Sequence, residues 1–157
     1  MLTIIKSKGK SSCRIIENNS VMLNYLQNYK LSINHYQLKK RGEFMDCIFC
    51  KIAEGEIPSK KLYEDEKVIA FYDISPEAPI HFLVIPKKHI KSVNEVSEEN
   101  ANIISHIFLV INKLVKELNI AETGYRIVNN CGKDGGQTVD HMHFHVLGQR
   151  ELKWPPG

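Results

Sequence analysis

Residues 141–146 read His-Met-His-Phe-His-Val, and this stretch decides the fold. Successive side chains of a β-strand point to opposite faces of the sheet, so alternate positions share a face. The apolar residues of the stretch would then pack into a core, while the polar face carries His141, His143 and His145. We therefore predict a strand over residues 138–147 with three histidines on one side.

Three histidines on one face require partners, because histidine is a poor β-former and its ring nitrogens need hydrogen bonds when buried. Two chemistries suit such a face. Imidazole is a common zinc ligand, and it also titrates near neutral pH and forms covalent intermediates. The pattern alone leaves metal binding and catalysis equally open.

The segment before the histidines favours phosphate chemistry. Gly132, Gly135 and Gly136 lack a Cβ, so backbone amides there can approach an anion closely. Thr138 adds a hydroxyl beside the strand. A glycine-rich loop that runs directly into alternating histidines is stronger evidence than either feature alone.

The remaining periodicity predicts an α+β domain. A short N-terminal helix begins at Ile48, and a long helix with Ser97 as its N-cap runs to about Leu118, because apolar residues recur there at helical spacing. Runs rich in β-formers predict further strands over residues 62–64, 68–73, 81–86 and 124–128. Several strands around one long helix indicate a mainly antiparallel sheet.

Residues 1–44 differ from the rest of the chain. They hold eight Lys or Arg and two acids, whereas the remaining residues hold thirteen and sixteen. They show no sustained helical or alternating period, so we expect an unstructured leader followed by one domain over residues 45–157. The codons for Arg41-Gly42-Glu43 readily contain the purine-rich string AGAGGTGA shortly before Met45. We therefore expect Met45 to be the physiological start and the leader to be non-native.

Composition narrows the protein class. The longest apolar run, residues 103–115, is too short and too polar to span a bilayer, and the first residues do not form a convincing signal peptide. Four cysteines, two of them in Cys47-Ile48-Phe49-Cys50, fit reduced thiols or metal ligands better than a disulfide scaffold. We predict a cytoplasmic protein with no membrane partner.

The chain resembles the histidine-triad (HIT) family, and in particular its Hint branch of purine nucleotide-binding phosphoramidases. The first motif is the His-φ-His-φ-His-φ pattern of residues 141–146, where φ is apolar. The other matching motifs are Asp-Ile-Ser-Pro at 73–76, His-Phe-Leu-Val-Ile-Pro-Lys-Lys-His at 81–89, Asp-Gly-Gly-Gln at 134–137 and Trp-Pro-Pro-Gly at 154–157. The resemblance covers about residues 46–157 and leaves the leader unmatched.

The resemblance implies a purine nucleoside phosphoramidase that works through a covalent nucleotidyl-histidine. His143 would be the nucleophile that attacks the α-phosphorus. His145 would bind the non-bridging oxygens, while His81 and His141 would orient the triad by hydrogen bonding. The other residues implied to contact the phosphate and the leaving group are Asn130, Thr138 and the backbone amides around Gly136 and Gln137. Thr138 stands where family members often carry serine, which preserves the hydroxyl.

The resemblance also implies a nucleotide pocket and an assembly. Asp73 would accept hydrogen bonds from the ribose hydroxyls, and Trp154 would contact the substrate across the interface of a homodimer. The implied apolar slot for a purine comprises Phe49, Ile52, Ile57, Ile74 and Leu83. Without the resemblance, each of these five residues would be assigned to the core.

A zinc site is implied as well. Cys47 and Cys50 have the spacing of half a zinc site, and relatives with this pair complete it with two histidines that correspond here to His89 and His141. Four protein ligands with no open position would make the zinc structural.

Three alternatives remain open. The chain could hydrolyse dinucleoside polyphosphates, or it could be a nucleotide-binding scaffold protein with incidental activity. Nucleic-acid binding through the basic leader is the least favoured.

Overall fold

The structure is a computed structural model, and it describes residues 46–155. The predicted leader, the proposed start at Met45 and the last two residues of the Trp-Pro-Pro-Gly ending lie outside the described residues. The elements in chain order are α1 (Ile48–Ala53), β1 (Lys61–Glu64), β2 (Val68–Tyr72), β3 (Ile80–Pro86), a short 3₁₀ helix (Val93–Glu95), α2 (Asn102–Glu117), β4 (Tyr125–Val128) and β5 (Phe144–Gly148).

The five strands form one sheet in the order β1-β2-β3-β5-β4, and each neighbouring pair is antiparallel. The predicted α+β architecture with one long helix and a short N-terminal helix is confirmed. Because β3 lies in the centre and β5 beside it, His81 of β3 and the histidines around β5 come together on adjacent strands.

Each face of the sheet carries its own apolar cluster, since side chains alternate along the strands. The larger cluster packs beneath α2, whose buried residues recur at helical spacing. Met142, Phe144 and Val146 belong to this cluster, as the sequence predicts. The smaller cluster lies on the other face beside α1 and contains Phe49, Ile52, Ile69, Phe71, Leu83 and Ile85. The sheet therefore has an apolar face under α2 and a mixed face that holds the histidines.

The long helix begins later than predicted. Its N-cap is Ala101 and not Ser97. The carbonyl oxygen of Ser97 instead accepts from the amides of Asn100 and Ala101, while the Asn100 side chain accepts from the Ser97 amide at 2.7 Å. This reciprocal pair closes a separate turn before the helix. No helix within residues 46–155 is long and apolar enough to cross a membrane.

The last strand is also shorter than predicted, because it begins at Phe144 and not at Thr138. The Met142 amide donates to the Ile90 carbonyl at 2.6 Å, and the Asn129 side-chain amide donates to the His143 carbonyl at 2.7 Å. These two bonds satisfy the backbone where strand pairing is absent. His141 and His143 thus lie on an extended approach to β5, and only His145 lies within the strand.

Helix α2 is tied to the β1–β2 turn through a charged contact. His106 Nε2 lies 2.7 Å from the Asp65 carboxylate, which also accepts from the Tyr63 hydroxyl and from the amides of Lys67 and Val68. Burial alone would raise the pKa of Asp65, but these hydrogen bonds together hold it well below its ordinary value. The contact is structural and lies outside the histidine face.

Candidate functional site

The alternation predicted from the sequence survives the shortened strand. His141, His143 and His145 lie on the face opposite α2, and the rings of His143 and His145 are 5.0 Å apart between centroids, nearly edge to face. His81 joins them from β3, with its ring centroid 5.1 Å from that of His145. The tertiary structure therefore assembles four histidines that span 65 residues of sequence.

His143 is held in one orientation by its own backbone. Its Nδ1 lies 2.6 Å from the carbonyl oxygen of His141, to which it donates. A neutral imidazole with a proton on Nδ1 keeps a lone pair on Nε2. The residue is 2% exposed, and its ring packs edge to face against Phe49 at 5.2 Å between centroids. The arrangement presents Nε2 as a fixed nucleophilic or basic atom.

His81 and His145 form a directed hydrogen-bond pair. The backbone amide of Glu77 donates to His81 Nδ1 at 3.1 Å, so the proton of the neutral His81 ring is on Nε2. That Nε2 donates to His145 Nδ1 at 2.9 Å and lies 3.5 Å from the Asp73 carboxylate. Because Nδ1 of His145 accepts, its Nε2 carries the remaining proton. His145 is therefore arranged as a hydrogen-bond donor.

Burial favours the neutral form of both histidines of this pair. Burial lowers the pKa of His145 to about 4, helped by the neighbouring His143 and His81 and opposed by Asp73. Burial also lowers the pKa of His81, against the raising effect of Asp73 and Glu77. Neutral rings keep distinct donor and acceptor nitrogens, which a proton relay or an oriented donor requires.

A second cluster brings together the four predicted metal ligands. Cys47, Cys50, His89 and His141 each place one ligand atom within 4.8 Å of the other three. His141 Nδ1 lies 3.4 Å from Cys47 Sγ and 3.6 Å from Cys50 Sγ, and His89 Nδ1 lies 3.2 Å from Cys50 Sγ. These residues are close enough to bind a metal ion.

The other nitrogen of His141 fixes its tautomer. His141 Nε2 donates to the carbonyl oxygen of Pro86 at 2.8 Å, so the lone pair of the neutral ring points from Nδ1 toward the two sulfurs. Burial lowers the pKa of His141 to about 4 and raises the pKa of the Cys50 thiol to about 12. A backbone carbonyl behind a histidine ligand is the usual outer support of a protein metal site.

Local structure explains why these residues meet. Cys47 precedes α1 as its N-cap and Cys50 lies one turn later, so both thiols lie on one side of the helix start. His89 follows the end of β3, and the segment after it is joined to the approach to β5 by the bond between Ile90 and Met142. The cluster therefore connects α1, the exit from β3 and the entry to β5.

The glycine-rich loop is folded by its own hydrogen bonds. Gly132 and Gly136 adopt φ values of +69° and +72°, which a residue with a Cβ rarely adopts. The amides of Gly136 and Gln137 donate to the carbonyls of Lys133 and Gly132. The two amides that were predicted to bind phosphate therefore donate hydrogen bonds within the turn. The predicted phosphate contacts nearby are exposed at Thr138 and half-buried at Asn130.

The side chain of Gln137 links this loop to the metal cluster. Its amide nitrogen donates to the carbonyls of Lys91 and Val139 at 2.7 and 2.9 Å, and its oxygen accepts from the Gly132 amide at 3.0 Å. Gln137 therefore connects the loop with the segment that carries His89. The sequence predicts nucleotide binding for Gln137 and does not predict this structural role.

Four of the five residues of the predicted purine slot lie in or against one apolar cluster, and Ile74 lies outside it. Phe49, Ile52 and Leu83 are buried in the smaller apolar cluster, against which Ile57 packs. Ile74 is 96% exposed beside Asp73, and Trp154 is 84% exposed. A cleft of about 870 Å³ opens beside the thiol cluster and shares only Thr138 with the predicted nucleotide residues. Because the triad does not line it, we do not assign this cleft to the nucleotide.

Three contacts around the histidines were not predicted from the sequence. Asn129 holds the His143 carbonyl, Pro86 accepts from His141, and the Glu77 amide fixes the His81 tautomer. Asn129 follows β4, so its position beside the entry to β5 could have been inferred from antiparallel pairing. The other two are backbone groups, which no residue pattern identifies.

Comparison with known proteins assigns the family. Residues 54–152 match the HIT domain family. An uncharacterized HIT-like protein of Synechococcus elongatus is 46% identical over 112 residues, which cover 71% of this chain and 97% of that protein. A HIT family hydrolase from Legionella pneumophila superposes with a TM-score of 0.70 at 46% identity, covering 71% of this chain and all of that one.

A histidine triad nucleotide-binding protein from Candida albicans is also similar, with a TM-score of 0.63, 38% identity and coverage of 70% of this chain and 83% of that one. The fold and the histidine face together define a hydrolase-type scaffold of the HIT family. The chain belongs to the HIT domain family.

Proposed function

We propose that this protein is a nucleoside phosphoramidase that cleaves the phosphorus–nitrogen bond of purine nucleoside phosphoramidates through a covalent nucleotidyl-histidine. The observation that carries the proposal is the 2.6 Å hydrogen bond from His143 Nδ1 to the His141 carbonyl. It leaves the Nε2 lone pair of a buried imidazole as the attacking atom.

The reaction has two displacements. His143 Nε2 attacks the α-phosphorus, a phosphorus–nitrogen bond forms on the histidine, and the bond to the leaving amine breaks as that nitrogen takes up a proton. Water then attacks the same phosphorus, restores the imidazole and releases the nucleoside monophosphate. Splitting one difficult substitution into two easier ones is the usual benefit of a covalent intermediate.

The neighbouring groups suit the charge that develops on the phosphoryl oxygens. His145 is the oriented donor, since His81 occupies its Nδ1 and leaves a proton on Nε2. A donor fixed in advance toward developing negative charge stabilises the transition state more than the ground state. Thr138 and Asn130 would assist at the phosphate and the leaving group, and Asp73 would accept from the ribose hydroxyls.

The base would lie against the apolar residues beside α1. The buried edge formed by Phe49, Ile52 and Leu83, with Ile57 at its border, supplies the apolar side of this slot, and the exposed Ile74 supplies its outer side. Similar proteins support this class of activity, because one is a HIT family hydrolase and another is a histidine triad nucleotide-binding protein.

Replacement of the proposed nucleophile is the decisive test. We expect His143→Ala to lower kcat/KM on an adenosine phosphoramidate by about 10⁴-fold or more, because no other group supplies the covalent route. Rapid quenching of the unaltered protein should yield a species heavier by one nucleotidyl group, and the variant should not. The matched control is His106→Ala, since His106 contacts Asp65 outside the site and should retain turnover.

The same experiment separates the alternatives. Turnover of a dinucleoside polyphosphate in preference to the phosphoramidate would shift the assignment within the family. Nucleotide binding by calorimetry without turnover in either assay would indicate a scaffold protein. Equal turnover of His143→Ala and the unaltered protein would falsify the covalent mechanism.

We further propose that the ion held by Cys47, Cys50, His89 and His141 is zinc, in a structural site. Zinc–sulfur and zinc–nitrogen bonds of about 2.3 and 2.0–2.1 Å place tetrahedral ligand atoms roughly 3.5 Å apart. The sulfur–nitrogen separations of 3.2, 3.4 and 3.6 Å match that spacing. Four protein ligands leave no open position, so the ion would hold three chain segments together and take no part in bond breaking.

The proposed assembly is a homodimer in the cytoplasm. Strand β4 is an edge of the sheet, and Phe108, Leu109 and Tyr125 are large apolar residues that are 45%, 67% and 37% exposed. Unpaired strand edges and exposed apolar side chains favour association. A reducing compartment suits the free thiols of Cys47, Cys50 and Cys131.

A further inference from the structure

We propose that the thiol cluster is a redox switch for the catalytic histidine: metal-loaded, reduced Cys47 and Cys50 hold His143 in its reactive tautomer, and their oxidation to a disulfide releases it. The inference rests on the proposed role of His143 as nucleophile. It assigns a regulatory role to the four residues of the proposed zinc site, with His141 as the positioning residue between the two sites.

His141 belongs physically to both sites. Its Nδ1 faces the two sulfurs at 3.4 and 3.6 Å, and its Nε2 donates to the Pro86 carbonyl. Its own carbonyl oxygen is the acceptor for His143 Nδ1 at 2.6 Å. The residue is fully buried, so a change in how its ring is held is transmitted to its backbone and from there to His143.

Helix α1 provides a second, independent connection. Phe49 lies between the two cysteines in sequence and packs edge to face against His141 at 5.9 Å and His143 at 5.2 Å. Any rearrangement that draws Cys47 and Cys50 together therefore moves the ring that contacts the nucleophile. Two routes of contact, through the backbone and through an aromatic ring, converge on one imidazole.

The glycine-rich loop follows the same cluster. Gln137 bonds the loop to the Lys91 carbonyl, two residues beyond His89. Loss of a ligand set that includes His89 would loosen this attachment as well as the histidine. The switch would thus act on the nucleophile and on the loop beside Thr138 together.

A hydroperoxide is the oxidant that converts the thiols of Cys47 and Cys50 to a disulfide. One cysteine sulfur attacks the peroxide oxygen, which breaks the oxygen–oxygen bond and leaves a sulfenic acid. The second sulfur displaces that oxygen, so a sulfur–sulfur bond forms, the two thiols lose two electrons, and hydrogen peroxide with two protons becomes two waters. The Cys-x-x-Cys spacing at a helix start is typical of reversible thiol–disulfide pairs, and the two sulfurs lie within 4.8 Å. With two of four ligands lost, the metal would dissociate.

The test uses the full chain with Cys13 and Cys131 changed to serine, so that only the cluster thiols remain. The zinc-loaded protein is treated with hydrogen peroxide and then with dithiothreitol plus zinc. Three quantities are followed: zinc captured by a coloured chelator, intact mass, and the ¹⁵N NMR signals that distinguish Nδ1–H from Nε2–H in His143. Turnover is measured in parallel.

We expect release of one zinc per chain, a mass loss of two hydrogens, and loss of the single Nδ1–H tautomer of His143. The value of kcat should fall about 10- to 100-fold, the range typical of lost support around a site, and should recover on reduction with zinc. Cys47→Ser should hold less zinc and should not form the disulfide.

A disulfide with zinc release that leaves the His143 tautomer and kcat unchanged would overturn the switch. Failure to form the disulfide would overturn it as well. If the reduced, zinc-loaded protein does not cleave phosphoramidates at all, the NMR signals still decide the coupling, so failure of the proposed function is recognised separately.

Discussion

Two groups of side chains that could ligate a metal ion lie on the same face of the sheet, yet their hydrogen bonds suit them to different roles. In the thiol cluster, His141 donates from Nε2 to a carbonyl and directs the lone pair of Nδ1 at two sulfurs. In the group of Asp73, His81 and His145, the Glu77 amide donates to His81 Nδ1, so the opposite nitrogen carries the proton and points into the group.

In both groups, the backbone group bonded to one nitrogen of an imidazole determines what the other nitrogen can do. A carbonyl behind the ring prepares the facing nitrogen to bind a cation, because a lone pair is then exposed there. An amide behind the ring prepares the facing nitrogen to donate. The group around Asp73 has two histidines and a carboxylate at metal-binding distances, but in this tautomer His81 offers no lone pair to an ion.

Among the tests of this difference between the two groups, the largest expected effect is on metal content. The unaltered protein should retain one zinc per chain, and Cys50→Ser should weaken zinc binding at least about 100-fold because a ligand atom is lost. Asp73→Asn should leave the zinc content unchanged. Elemental analysis after dialysis measures both, and a second ion that disappears in Asp73→Asn would show that the group around Asp73 also binds metal.

A smaller effect is expected at the histidine pair. His81→Leu removes the donor to His145, and kcat should fall about 10- to 100-fold because the His145 donor is no longer oriented. His81→Gln is the matched variant, since its amide can accept from Glu77 and donate to His145. Steady-state kinetics should show partial recovery with glutamine. Equal losses in both variants would indicate that His81 acts through packing and not through its hydrogen bonds.

The smallest effect is on stability in acid. The pKa of His145 is lowered to about 4, so below the unfolded-state value near 6.5 the unfolded chain binds a proton that the folded ring does not. The contribution is therefore present above pH 6.5 and is lost as pH falls toward 4. In His145→Gln the stability should decline less steeply, by about 1 kcal/mol per pH unit. Urea unfolding at pH 7, 6 and 5 measures the difference, and parallel curves would contradict it.

Much of the fold could be predicted because it depends on local pattern. Apolar residues at helical spacing identify α2, and the alternating stretch around His143 places Met142 and Phe144 in the core. The element ends are less predictable, since they depend on distant partners. Asn129 and Ile90 satisfy the backbone before β5, and this makes the strand shorter than the pattern indicates.

Some features of the candidate site could likewise be predicted from the sequence, and others could not. Cys47, Cys50 and their two histidine partners were predicted together, and the structure brings them together. The predicted purine slot is less coherent, because three of its five residues are buried core and Ile74 extends into solvent. Gln137 holds the loop through three side-chain hydrogen bonds, which its position in a motif does not reveal.

The sequence by itself determined that three histidines share one face of the molecule, since alternation is a property of any extended chain. Only the tertiary structure decided what each ring does, because the tautomer of an imidazole depends on the group behind it. For His141 that group is the carbonyl of Pro86, 55 residues earlier, and for His81 it is the amide of Glu77. His141 thereby faces the thiols, His143 presents the lone pair of its Nε2, and His145 presents a donor.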